Sequence, residues 1–146
     1  MELLVRENQK IWTPSPGPQT EAYLTNADIT FYGGAAGGGK TDLALGLSLT
    51  THTESIIFRR EAVQLEGIYE RMTQILGTRD GFNSTTRKWR LPDRMVEFGA
   101  VKDSGDEMKY QGRPHSLKVF DEITHFQEYQ FKFLCGWKRT TRVGEP

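Results

Sequence analysis

Residues Gly34-Ala35-Ala36-Gly37-Gly38-Gly39-Lys40-Thr41 spell G-x-x-x-x-G-K-T without a mismatch, and no other stretch restricts the fold as tightly. An apolar run of β character, Asp28 to Gly33, precedes them. Asp42 to Leu49 follows and reads as a buried helix. A glycine loop between a strand and a helix is the context in which this spacing cradles phosphate. Glycines let the backbone curl so that successive N–H groups turn inward. The helix start adds free N–H groups and a positive dipole end. In that setting Lys40 would reach the β- and γ-phosphates of ATP, and the Thr41 hydroxyl would ligand Mg2+. The ordinary alternative is a flexible glycine turn, and the flanks argue against it.

With 146 residues the chain has enough length for one domain with a core. It is 36% hydrophobic and 26% charged, a balance that excludes both a disordered tail and a membrane protein. Nineteen basic residues offset nineteen acidic ones, so there is no overall attraction to nucleic acid. Local clusters exist at Arg87, Lys88, Arg90 and Arg94, and at Lys138, Arg139 and Arg142; such runs are more often solvated faces than phosphate contacts. Cys135 is the only cysteine, which forbids an internal disulfide and points to a reducing compartment. The Leu3-Leu4-Val5 run is too short and too flanked by charge to be a signal peptide. The expected setting is cytoplasmic, away from membranes.

Residues 13–20 carry three of the six prolines and read as an extended lead-in. A strand over 28–33 should enter the glycine loop. Ser55 to Arg59 reads as a second buried strand. Apolar positions 65, 68, 69, 72, 75 and 76 form a helical stripe that ends at Gly77. Strand, helix, strand, helix implies parallel strands joined by right-handed crossovers. Thr86–Leu91 and Met95–Gly99 flank Pro92-Asp93 and predict a hairpin. The acidic run Asp103 to Glu107 fits no calcium loop and is expected to be a solvated turn. Leu117–Phe120 is another short strand, and Gln127–Trp137 an aromatic-rich helix read as core. The three histidines are too scattered for a metal site. About three parallel-type strands and a hairpin fall short of the roughly five usual for a sheet, which suggests a fragment of a longer protein.

A phosphate-loop ATPase also needs a carboxylate for Mg2+ and a group that orients the attacking water. Leu117-Lys118-Val119-Phe120-Asp121-Glu122 supplies both at the tip of a hydrophobic strand. Successive strand residues diverge, so Asp121 can face the metal while Glu122 reaches past the γ-phosphate. A water-activating glutamate would waste ATP in a kinase, so the pair favours hydrolysis.

Together these stretches resemble the large terminase subunit, the ATP-driven DNA-packaging motor of tailed bacteriophages. The resemblance runs through Phe31 to Asp42, Ile57-Phe58-Arg59-Arg60 with Gln64-Leu65, Lys109-Tyr110-Gln111-Gly112, and Val119 to Phe126. It covers the chain from about residue 12 onward. It implies an α/β fold, a P-loop NTPase of the ASCE or RecA-like type: a three-layer sandwich with a mainly parallel sheet, here incomplete. Residues 1–27 would be a lead-in with the adenine-binding segment, and 28–146 the ATPase domain without its nuclease domain. By position, Gly34, Ala35, Ala36, Gly37, Gly38, Gly39, Lys40, Thr41 and Asp42 look like the nucleotide loop (Walker A), Thr41 and Asp121 like the metal residues, and Glu122 like the catalytic glutamate. Gln19 looks like the adenine reader, and Arg59 or Arg60 like a sensor or finger for γ-phosphate charge. Double-stranded viral DNA, a portal protein, a small terminase subunit and further copies in a ring are the implied partners, in the host cytoplasm. Two departures stand out: Ala36 replaces a basic loop residue that many members have, and the nuclease domain of the family is expected to lie outside these 146 residues. The alternatives are another phosphate-loop DNA translocase of helicase type, and a nucleotide-binding piece without turnover.

Overall fold

The computed structural model describes residues 5–6, 9–10, 12–33 and 39–136. The loop residues Gly34, Ala35, Ala36, Gly37 and Gly38, and the basic cluster at 138–142, lie outside the described residues. In chain order the elements are β1 (Val5–Arg6), β2 (Gln9–Lys10), α1 (Pro18–Leu24), α2 (Lys40–Thr50), β3 (Glu54–Arg59), α3 (Glu66–Leu76), β4 (Phe82–Asn83), β5 (Lys88–Arg90), β6 (Met95–Ala100), β7 (Leu117–Phe120) and α4 (Glu128–Cys135). Three 3₁₀ turns, Ala62–Leu65, Asp106–Tyr110 and Ile123–His125, join them.

The fold is α/β around a mixed five-stranded sheet in the order β4-β5-β6-β3-β7. β3 lies parallel to both β6 and β7. Its Ser55–Phe58 stretch is buried throughout, as expected of a strand covered on both faces. Alternation then divides the core. Ile57, Val96 and Phe98 pack with Leu45 and Leu49 of α2 and Ile68 and Met72 of α3. Ile56 and Phe58 pack on the opposite face with Tyr110 and with Leu134 of α4. The expected helix after Val63 splits into a 3₁₀ turn and α3, which stops at Gly77 in the left-handed region (φ 78°).

The lead-in is fixed to α2 by packing. Trp12 is buried and lies against Gly46, where a Cβ would come within 2.3 Å of its ring. That contact explains a glycine in mid-helix despite its helix cost. Tyr23 adds a hydroxyl contact to Thr50 at 2.8 Å.

Several expectations need correction or refinement. Residues 28–33 form no strand; Ile29 and Phe31 are 58% and 75% exposed. A strand exists only where a neighbouring edge shares its hydrogen bonds, and β7 ends the sheet without pairing to this run. The sheet is mixed rather than mainly parallel, because β5 runs antiparallel to both β4 and β6. The hairpin is present, yet its second strand, β6, also serves as a parallel partner of β3. The acidic run is not simply solvated: Glu107 is buried and accepts hydrogen bonds from Gly105 N and Gln130 Nε2. Arg94, taken for part of a solvated basic face, is buried and donates to the carbonyl oxygens of His52 (2.7 Å) and Ser48 (3.4 Å) at the end of α2. An arginine there satisfies carbonyls the helix leaves unpaired. Among the described residues no helix is long and apolar enough to cross a membrane.

Candidate functional site

The carboxyl ends of parallel strands are where open α/β sheets place their ligands. β3 ends at Arg59, and the ladder to β7 continues one residue past the strand, with Asp121 N donating to Phe58 O at 2.9 Å. This register sets Arg59 and Asp121 side by side, and Arg59 Nη1 donates to Asp121 Oδ2 at 2.8 Å. Both side chains are largely buried, at 19% and 10% exposure. The Arg59 Nε is buried and reaches no hydrogen-bond partner among the described residues.

Glu122 follows with φ 57° and ψ 56°, a left-handed conformation that a non-glycine residue adopts at a cost of about 1–3 kcal/mol. Its carbonyl accepts from His125 N at 2.9 Å and opens the next 3₁₀ turn. The side chain is exposed. Left-handed backbone here turns the chain sharply off β7 immediately beyond Asp121.

A cavity of about 1010 Å³ runs along β7 from Leu117 to Glu122 and reaches Thr51 and His52 beyond α2. Lys40, Leu43, Ala44 and Leu47 of α2 form one wall, residues 117–122 another, and the irregular segment 25–33 a third. Lys40, Asp121 and Glu122 therefore border one space, although 81 and 82 positions separate the carboxylates from the lysine in sequence. Its size is at the upper end of the range for small-molecule pockets, about 300–1,000 Å³. Among the described residues, Thr41, Asp42, Arg59 and Gln19 do not line it. Thr41 is half-buried in the first turn of α2, and Arg60 is exposed beyond β3.

Two expected ligand residues have protein partners. Asp42 accepts two hydrogen bonds from Arg71 of α3, Nε to Oδ1 at 2.7 Å and Nη2 to Oδ2 at 2.8 Å. This hydrogen bond holds the Arg71 guanidinium above its ordinary pKa. Gln19 is buried; its Oε1 accepts from Ser15 N at 2.6 Å and its Nε2 donates to Gly39 O at 3.0 Å. Gln19 thus ties the lead-in to the last glycine of the loop. Gly39 has φ 78°, which favours glycine, and a Cβ there would meet Gln19 Nε2 at 2.5 Å, so a side chain would have to displace the Gln19 amide.

Sequence reasoning missed the Arg71–Asp42 and Gln19–Gly39 contacts. Their partners sit 29 and 20 residues apart, and nothing in local periodicity marks either.

Among the described residues no group of three or more His, Cys, Asp or Glu side chains could hold a metal. Magnesium does not need one, because it binds through one or two protein oxygens together with phosphate and water. Of the two expected metal residues only Asp121 borders the cavity, and its carboxylate holds a cationic group in Arg59. Comparison of the chain with protein-family models, curated proteins and solved structures gives no match.

Proposed function

We propose that this chain is the ATP-binding and hydrolysing motor portion of a phage terminase large subunit, a P-loop NTPase of the ASCE type. Its work would be to drive double-stranded viral DNA into the procapsid. The observation that carries this reading is a cavity along β7 that Lys40, Asp121 and Glu122 all border. In it Lys40 would neutralise the β- and γ-phosphates, Asp121 would hold Mg2+ together with Thr41 from the first turn of α2 outside the cavity lining, and Glu122 would orient and deprotonate the attacking water. Bound Mg2+ would supply charge neutralisation for the phosphates. The left-handed backbone at Glu122 supports a functional role, because strain of this kind collects at active sites. Gln19, through Gly39, would pass the state of the lead-in to the phosphate loop rather than only read the adenine edge. Arg59 or Arg60 would meet γ-phosphate charge. The portal protein, the small terminase subunit and further copies in a ring belong to this reading as partners, in the host cytoplasm.

A second reading, a nucleotide-binding piece without turnover, is favoured by one contact: Arg59 occupies an oxygen of Asp121 that metal would need. A helicase-like translocase would share the same site chemistry.

ATP hydrolysis by the protein and by its Lys40→Ala and Glu122→Ala forms separates these readings. Loss of a positioned base or a charge-stabilising group should slow turnover by ~10²–10⁴. Equal rates in all three forms contradict the motor. Tight ATP binding with no hydrolysis in any form selects the binding piece.

A further inference from the structure

The geometry points to Arg59 as a resident cation that keeps Asp121 closed to metal until nucleotide arrives, when the guanidinium releases the carboxylate to a divalent ion. This inference rests on the nucleotide reading of the cavity and adds a control step to it.

Three observations carry it. Arg59 and Asp121 are locked side by side by the β3–β7 register, so the guanidinium meets the carboxylate without any movement of backbone. Only one hydrogen bond at 2.8 Å joins them, although a side-on arginine can give two. The Arg59 Nε is meanwhile buried with no partner among the described residues, a state that costs free energy and is relieved when the side chain turns away. Asp121 borders the cavity and Arg59 does not. The carboxylate can therefore receive an ion from the cavity side once the guanidinium swings off it. Anionic phosphate oxygens in the cavity offer the released guanidinium a charged acceptor. A nucleotide-free site would then hold metal poorly, and metal and nucleotide would bind together.

Two cations competing for one carboxylate are negatively coupled, and such couplings usually amount to roughly 5–150-fold in affinity. The test is Mn2+ binding without nucleotide, followed by the electron paramagnetic resonance signal of free Mn2+ at pH 7.5. Arg59→Gln removes the charge and keeps a donor; it should bind Mn2+ about tenfold more tightly than the unaltered chain. Arg59→Lys keeps the charge and should stay near the unaltered affinity. Asp121→Asn, alone or with Arg59→Gln, should abolish the gain. Thermal unfolding of each variant verifies that it is folded, and a tighter ion is not a result that structural damage produces. Unchanged or weaker Mn2+ binding in Arg59→Gln overturns the inference, as does a gain that survives Asp121→Asn. If Lys40- and Glu122-dependent ATP turnover is normal while Mn2+ affinity does not move, only the exchange fails. If ATP neither binds nor turns over, the nucleotide reading itself fails.

Discussion

Two arginine–aspartate pairs hold the cavity's surroundings, and they are built differently. At the α2–α3 junction Arg71 grips Asp42 through two hydrogen bonds, with both side chains substantially in solvent at 41% and 31% exposure. At the carboxyl ends of β3 and β7 Arg59 holds Asp121 through one, with both side chains mostly buried. The first pair is saturated geometrically and cheap electrostatically, because solvent screens it. The second is unsaturated, and removing one partner leaves a charge with little water around it. Good geometry marks a tether between helices; the buried pair leaves Arg59 Nε without a hydrogen-bond partner among the described residues.

The largest test of this contrast is to neutralise each aspartate. Asp121→Asn strands the Arg59 charge and should lower unfolding stability by about 3 kcal/mol, the scale of a broken buried pair. Asp42→Asn should cost less than about 1 kcal/mol. Urea unfolding of the two variants reads the difference, and equal losses would erase the distinction.

A third pair, away from the cavity, sharpens the point about burial. His115 Nε2 lies 2.6 Å from Glu97 Oε2, and both side chains are nearly inaccessible. Burial, then the neighbouring Lys118 and Arg113 charges, push the His115 pKa down from 6.5 to about 4. The folded chain thus keeps His115 neutral where the unfolded chain protonates it. Stability from this source is complete above about pH 6.5 and is lost as pH falls towards 4. The full span is worth roughly 3 kcal/mol at most. Thermal unfolding from pH 7.5 to 4.5 should fall more steeply for the unaltered protein than for His115→Gln; identical slopes would mean that His115 titrates normally.

Smaller effects separate packing from charge in holding α2. Gly46→Ala drives a methyl into the Trp12 ring and should cost about 2 kcal/mol through overpacking. Arg71→Met, which cuts the exposed tether, should cost no more than about 1 kcal/mol. If the arginine variant proves the more damaging in denaturation, charge and not packing fixes this helix.

Much of the framework is legible in the sequence because it depends on local pattern. The buried run Ser55–Phe58, the stripe ending at Gly77 and the strand Leu117–Phe120 appear where periodicity puts them, and the helix expected over Gln127–Trp137 as core is observed as Glu128–Cys135 with Tyr129 exposed. Asp121 and Glu122 follow the last strand as expected, and Lys40 opens α2 and borders the same cavity. What escaped was decided by distant partners. Residues 28–33 have the alternation of a strand but do not pair with the open edge of β7. Arg94 and Glu107 carry charges that composition assigns to solvent; carbonyls of α2 and the amide of Gln130 draw them inside. Gln19 has two contacts, to Ser15 and Gly39, that only the folded lead-in creates.

The most direct measurement is amide hydrogen exchange of the protein with and without ATP and Mg2+. Occupation of the cavity by a triphosphate predicts slowed exchange at the start of α2, around Lys40 to Asp42, together with slowed exchange at Asp121 and Glu122, and the same protection lost in Lys40→Ala. Protection confined to other parts of the sheet, or no protection at saturating ATP, would contradict a nucleotide site at this strand end.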